Sequence, residues 1–562
     1  MARAAARQSP VSLLMFFVPI YIEAIRARPL LTFWAATLAQ SLIWLAVPML
    51  FYSAPPGELA ELLAIGHELR FDAGVGPPLA YWLAEIAFRL AGLFGVYVLA
   101  QLCVIVTYWC VFALGRATLG ASHAVMAVLL MVGVALFTVP SPDFGPPLLS
   151  MPLWALVLLH YWQAAIAGQK RSGHDRLGHD RSSHDRSIHD RSWQNRFRQN
   201  RSWFMLGGAA ALLLLSSAAA LLLFGALAVF IAATARGRAV LDKPQFWIVG
   251  IALVPFLFVH VIWLESLWLQ NGGAQAAGGL APVLQHLREA QNAGLNTSIW
   301  LRLLAALALA HAGLAILFVL AAGWPRVSAP PAPPIARAHT DAHAASYIKV
   351  FALAPALLAT ICAVLVGQRV PVGGSAPLVV LSGLAVVLVA GDSIALYHQR
   401  VLGFAWSGLL VVPALFVPLL LVALPWTIGT DLRIAQPANA MGEFFADSFQ
   451  RRTGQRLAIV TGNPRTAALI ALAAPSRPSV FSDSDPARTP WVTADDIRKK
   501  GAVVVWLAAD MSPTPPPEIK VYFPDLVAEV PRTFVRPVEG RAPLLRIGWG
   551  VIRPGTVEPA AK

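Results

Sequence analysis

Long apolar runs separated by short polar intervals dominate the first three quarters of this chain. A helix needs about 20 apolar residues to cross a hydrocarbon core of roughly 30 Å. Windows of that kind fall near residues 30–52, 92–116, 120–139, 147–167, 245–264, 299–322, 347–366, 376–396 and 401–427. Backbone groups in lipid must be satisfied within their own segment, so each window predicts a helix. The stretch 203–235 is too long for one comfortable span, and Ser216-Ser217 interrupts it near the middle, which predicts two short helices. Eleven spans result.

Beyond residue 428 the pattern changes. A helix is expected over 438–452, a strand at Leu457-Ala458-Ile459-Val460, a turn at Thr461-Gly462-Asn463 and a helix over 464–473. A strand at Ser479-Val480-Phe481 follows, then a helix over 493–500 with Asp495-Asp496 near its start, then the strand 502–506. This alternation predicts a small α/β domain over 429–562.

Lys and Arg concentrate in the connections 169–201, 235–243, 324–349 and 398–400, and are sparser in 53–91, 140–146, 265–298 and 367–375. Positive connections stay in the cytoplasm. Eleven spans alternate correctly only if 203–235 crosses twice, with the amino terminus inside and the α/β domain outside. Residues 1–29 then form a cytoplasmic segment in which Ile20-Tyr21-Ile22-Glu23-Ala24-Ile25-Arg26 has amphipathic character. No cleavable signal peptide is evident, and the first span can serve as the targeting signal. The expected organisation is a membrane module over 30–168 with two outer loops, a linker over 169–202, the remaining bundle over 203–428 and the outer domain.

Composition agrees with a polytopic membrane protein: 57% of residues are hydrophobic, 13% are charged, and mean hydropathy is +0.63. The net charge of +14 does not point to nucleic acid, because nine Lys/Arg sit in 169–201 beside the membrane, where they meet anionic lipid. That segment repeats every five residues, from His174-Asp175-Arg176 through His189-Asp190-Arg191, then Gln194-Asn195-Arg196 and Gln199-Asn200-Arg201. Five-residue spacing places the histidines on neither a helix face nor a strand face, so the repeat reads as a disordered linker rather than a metal site. Cys103, Cys110 and Cys362 all fall inside spans, as small core hydrophobes.

The candidate chemistry lies between the first two spans. Glu58, Glu61, Glu68 and Asp72 follow Pro55-Pro56-Gly57 and precede Gly76-Pro77-Pro78-Leu79-Ala80-Tyr81-Trp82. Carboxylates held against a bilayer are costly unless solvated, paired or used. A hydrated loop helix accounts for them structurally. A functional account is sugar transfer from a lipid-linked donor, in which a carboxylate takes the acceptor's proton as the anomeric carbon is attacked.

The pattern from Glu58 to Glu68, followed by Gly76-Pro77-Pro78-Leu79-Ala80-Tyr81-Trp82-Leu83, resembles the first outer loop of the family 39 glycosyltransferases. That group has the GT-C fold and includes protein O-mannosyltransferases and the lipid A aminoarabinose transferase. Over about residues 30–170 the resemblance implies Glu58 as the loop acid and Asp143, in Pro142-Asp143-Phe144, as a second acid ahead of Met151-Pro152-Leu153-Trp154. It implies a polyprenyl-phosphate sugar donor, an extracytoplasmic lipid, glycan or protein acceptor, and the bacterial inner membrane. Donor or substrate contacts would come from Glu61, His67, Arg70, Pro77, Pro78, Tyr81, Arg89 and His260, and a divalent cation at Asp143 stays open. Two departures stand out. The family's usual Asp is Glu58, and its Lys or His before Pro-Pro is Gly76, which leaves a phosphate-holding cation to be found among Arg70, Arg89, His67, His260 and Arg369. A transporter, a lipid flippase and a catalytically degenerate member are the alternatives. Trp263, Trp268 and Trp300 read as an interfacial belt, Asp392 as a solvated cap near Tyr397-His398, Gly462 as a helix start, and Ser482-Asp483-Ser484-Asp485-Pro486 as a turn.

Overall fold

The structure, a computed structural model, describes residues 23–70, 76–166, 185–270, 295–322, 333–365, 368–430, 432–482, 489–524, 526–538 and 540–555, with backbone only over 165–166, 185–199, 261–270 and 295–296. Helix α1 (Pro29–Phe51) starts on a proline, whose missing N–H has no helical partner at that position anyway. The outer-loop helix α2 (Leu59–Gly66) follows, then α3 (Leu79–Thr118). Non-helical torsions at Ala91 and Gly92 bend α3, separating an outer piece from the piece that begins where the apolar window begins.

The bundle continues through α4 (Ala121–Met131), α5 (Pro146–Tyr161), α6 (Asp185–Ser216), α7 (Ala219–Ala233), α8 (Ala235–Leu241) and α9 (Pro244–Gln270). Then come α10 (Leu295–Ala310), α11 (Ala312–Ala321), α12 (Ala342–Leu365), α13 (Ser382–Val389) and α14 (Gln399–Thr427), with a two-residue antiparallel pair of β1 (Ile335–Ala336) and β2 (Ser393–Ile394) between them. Phe33, Tyr108, Trp154, Tyr161, Tyr347 and Phe351 are buried at its centre. The chain is a mainly helical, multi-pass membrane protein. Among the described residues four helices, α1, α3, α12 and α14, are long and apolar enough to cross a membrane. The count is six if the bent pairs α7 with α8 and α10 with α11 are one span each.

Several boundaries differ from the apolar windows. The break in 203–235 falls at Ser217 and Ala218, as the serines suggested. The α-helix in the 120–139 window ends at Met131 and only a 3-10 turn follows at Ala135–Phe137; between them the Gly133 carbonyl accepts a hydrogen bond from Leu314 N (2.9 Å) on α11 and so leaves its own ladder. A Cβ on Gly133 would come within 2.4 Å of that same nitrogen, so only glycine allows the approach. Helix α6 begins at Asp185 and runs back through the second half of the repeat segment; the first half lies outside the described residues.

The C-terminal unit is an α/β domain. Its elements are α15 (Ala438–Thr453), β3 (Ile459–Gly462), α16 (Pro464–Ala473), β4 (Ser479–Ser482), α17 (Ala494–Lys500), β5 (Ala502–Leu507), α18 (Pro517–Tyr522), β6 (Ala528–Phe534) and β7 (Leu545–Ile552). The sheet order is β4-β3-β5-β7-β6, with β3 parallel to β4 and β5, and β7 antiparallel to β5 and β6. Helix α17 starts with the capping box of Thr493 and Asp496.

One short helix joins the two units. Leu59, Leu62 and Leu63 of α2 belong to the bundle core, whereas Ala60 is buried in the core of the α/β domain with Phe445 and Phe449, and Ala64 packs against it. The spacing of three and four residues puts each set on its own face. The catalytic candidates therefore sit at the junction of bundle and domain.

Candidate active site

The first outer loop is pinned as it leaves α1. Ser53 N and Ala54 N both donate to Ile434 O, at 2.9 and 3.0 Å. Pro55 and Pro56 then stiffen the chain into Gly57, which has φ +51°. A Cβ built there would lie 1.8 Å from Asp143 Oδ2, so glycine is needed both for the torsion and for the approach of the carboxylate. Asp143 comes from the second outer loop, folded tightly by Ser141 N to Thr138 O (2.9 Å) and Asp143 N to Pro140 O (3.0 Å), with Phe144 buried beside it. The Glu58 amide donates to the Asp143 carboxylate. Two loops some 85 positions apart thus bring Glu58 and Asp143 to one corner.

Their environments differ. Glu58 is exposed at the start of α2. Burial, with the Glu58 charge adding to it, pushes the Asp143 carboxyl up from 3.8 to about 7; the Glu58 amide and Arg465 pull the other way. A carboxyl raised in this way beside an exposed carboxylate suits division of proton work between two groups. Tyr81 stands within electrostatic reach of Glu58.

The α/β domain adds a cation that the sequence reading did not contain. The Asn463 side chain caps α16 by accepting from Thr466 N (3.1 Å), Pro464 opens the helix, and Arg465 follows. Arg465 Nη1 donates to Gly57 O at 2.5 Å. Glu61, Asp143 and Glu58 all act on its charge. Gly462, read as a helix start, also has a packing reason: φ is +114° and a Cβ would meet Val505 O at 1.9 Å, so it lets β3 close on β5. The signal available in sequence was the helix start itself; the reach of Arg465 to Gly57 was not.

A second cluster surrounds Glu85, which is buried at 1% exposure. It accepts from Arg89 Nε (2.8 Å) and from Arg477 Nη2 (2.9 Å), and meets His67 Nδ1 at 3.2 Å. Arg477, at φ +48°, also lies over the Phe88 ring (4.4 Å) and ties α3 to the α/β domain. His67 and Arg89 therefore serve this anchor. Glu85 and Arg477 were absent from the sequence reading.

Of the remaining candidates, Glu61 lies in the field of Arg465, and Pro77 and Pro78 form the turn that starts α3, with Pro78 at the cap. Arg70 O accepts from Trp82 Nε1 (3.2 Å), and Arg70 lines a small cleft with Gly76, Pro78, Tyr81, Trp82 and Trp491. His260 is buried in the bundle with Nε2 at 2.6 Å from Leu214 O, and Arg369 is exposed. Asp392 is paired with Arg337 Nε (2.9 Å) and His339 Nδ1 (2.6 Å) beside β2, a different setting from the expected cap near His398. Trp300 Nε1 donates to Thr360 Oγ1 (3.2 Å). Asp72, the 483–486 turn and the side chains of Trp263 and Trp268 lie outside the described residues. Among the described residues no three His, Cys, Asp or Glu side chains converge on a point where a metal could sit.

Residues 75–173 match the family model for dolichyl-phosphate-mannose-protein mannosyltransferases. The resemblance to family 39 glycosyltransferases holds over this stretch, which takes in the Gly76-Pro77-Pro78 turn and Asp143 and begins after Glu58. No curated protein matches the sequence. Among solved structures, ArnT from Cupriavidus metallidurans bound to undecaprenyl phosphate is similar at a TM-score of 0.39 and 13% identity, over 93% of this chain and 97% of that one. The oligosaccharyltransferase AglB from Archaeoglobus fulgidus, in complex with an inhibitory peptide and a dolichol-phosphate, is similar at 0.41 and 11%, over 86% of this chain and 70% of that one. Scores this low carry no residue-level correspondence.

Proposed function

We propose that this protein is an integral-membrane glycosyltransferase that moves a sugar from a polyprenyl-phosphate donor to an acceptor on the outer side of a bacterial inner membrane, where its α/β domain also lies. The observation that carries this reading is the meeting of Glu58 and Asp143, from two separate loops, at the Gly57 corner. The family match over the second of those loops supports it.

In this reading the exposed Glu58 carboxylate takes the proton of an acceptor hydroxyl as that oxygen bonds to the anomeric carbon. The bond from that carbon to the donor phosphate breaks, and its electron pair leaves on the lipid phosphate. Asp143, closer to neutrality in acidity, holds the Glu58 backbone in place and can share the proton. Positive charge near the acids comes from Arg465.

General-base assistance contributes on the order of 10²–10⁴-fold. Glu58→Gln should cut turnover by that order in purified, folded protein, with and without chelator. Glu58→Asp tests geometry, because it keeps the acid and withdraws it by one methylene. Wild-type rates in Glu58→Gln, or no transfer by wild type across a panel of polyprenyl-phosphate sugars, would overturn the proposal.

A further inference from the structure

Gly76 stands where the resembled family has a Lys or His, and three of the five cations considered in its place are otherwise engaged. Arg89 and His67 bind Glu85, and His260 bonds to the α6 backbone. Arg465 is different. Its Nη1 is spent on Gly57 O, while Nε and Nη2 are both buried and find no acceptor among the described residues. Those two nitrogens form one edge of the guanidinium, the edge whose parallel N–H groups match two oxygens of a phosphate or carboxylate. A buried donor without an acceptor is costly, and a charged one more so, which favours an anion at that edge.

The support beneath Arg465 is rigid. Asn463 caps the helix, Pro464 fixes its first turn, and Gly462 seats the preceding strand against β5. Arg465 lies in the first turn of α16, where the helix dipole is positive. The location is also right, because Glu58 and Asp143 lie in the field of the same guanidinium, next to the point where the leaving phosphate would separate from the sugar.

We infer that Arg465, carried into the site by the α/β domain, grips the phosphate of the polyprenyl-phosphate donor through its Nε and Nη2 edge and so fills the role left open at Gly76. The inference rests on the glycosyltransferase reading above. It makes the α/β domain part of the donor site.

The test is binding of undecaprenyl phosphate to full-length protein in detergent micelles, with the free polyprenol and inorganic phosphate as separate arms. Wild type should bind the lipid phosphate well and the polyprenol much more weakly; inorganic phosphate alone should bind weakly but lose that binding in the same variants. Arg465→Gln should weaken lipid-phosphate binding about 10- to 100-fold, the range of a lost charge-assisted bidentate contact. Arg465→Lys keeps the charge and a donor for Gly57 O but lacks the paired edge, and should also lose about 10-fold. In turnover, the loss should appear in donor KM more than in acceptor KM. Lys at position 76, introduced as Gly76→Lys into Arg465→Gln, should recover part of the binding. If wild type and both Arg465 variants bind equally, the role of Arg465 falls and the glycosyltransferase reading stands. If wild type does not distinguish lipid phosphate from polyprenol, both fall.

Discussion

Gly57→Ala isolates the geometry of the carboxylate corner. Residue 57 holds φ +51°, which costs an alanine roughly 1–2 kcal/mol. The added Cβ would lie 1.8 Å from Asp143 Oδ2, 2.3 Å from its Cγ and 2.6 Å from Oδ1, all inside the separation that real Cβ atoms keep. Asp143 or the loop must therefore retreat by about 1 Å or more, and a displacement of that size at a reacting centre costs on the order of 10²-fold in rate. Gly454→Ala provides the matched control: Gly454 sits at φ +72° in the cap of α15, with no atom within 4 Å of a built Cβ. It carries the torsional cost without the collision. Purified variants would be compared by thermal unfolding and by single-turnover transfer from a polyprenyl-phosphate sugar. Both should lose the torsional cost of about 1–2 kcal/mol, Gly57→Ala somewhat more because of the collision, and only Gly57→Ala should lose about 10²-fold in the chemical step. Equal rates in the two variants would refute the claim that Asp143 must sit against Gly57.

Three further outcomes are expected. The folded protein holds the Asp143 proton more tightly than the unfolded chain, with an acidity raised from 3.8 to about 7, so the stability this group contributes is present at low pH and is lost as pH rises through that window. Asp143→Asn removes the titration, and its melting temperature should gain on wild type between about pH 4 and about pH 7; parallel curves would contradict the burial argument. Glu85→Gln leaves Arg477 facing a neutral partner in a buried site, which should cost about 3 kcal/mol and speed proteolysis of the domain junction; an unchanged digestion rate would show that other contacts hold the domain. A reporter fused after Lys562 should register outside and one inserted near Ser183 inside, and both on one side would end the eleven-span topology.

The α/β domain was legible where local signals are strong. The helix over 464–473 begins at a cap and a proline, and β5 is a run of Ala502-Val503-Val504-Val505-Trp506, so each declares itself within a few residues. Strands β6 and β7 were not legible, because Pro531 breaks the first pattern, and Gly548 and Gly550 thin the second. Those glycines answer to distant partners: a Cβ at 548 would meet Trp506 at 2.1 Å, and one at 550 would meet Leu526 at 2.8 Å. The same division runs through the site. Glu58 and Asp143 stand in short motifs that resemble known loops, and the structure brings them together. Arg465, Arg477 and Glu85 act through pairings made across hundreds of positions, and no periodicity records such a pairing.

The contact between Arg465 and Gly57 spans 408 residues. At synthesis rates of roughly 5–20 residues per second, the first outer loop waits on the order of 20–80 s before its guanidinium exists. During that interval the bundle can insert and fold around Leu59, Leu62 and Leu63, while Ala60 and Ala64 still face water. The corner is completed only when the last domain has emerged and closed over it, so under the proposed mechanism an immature or truncated chain should be silent. Activity would then be a certificate of finished biogenesis.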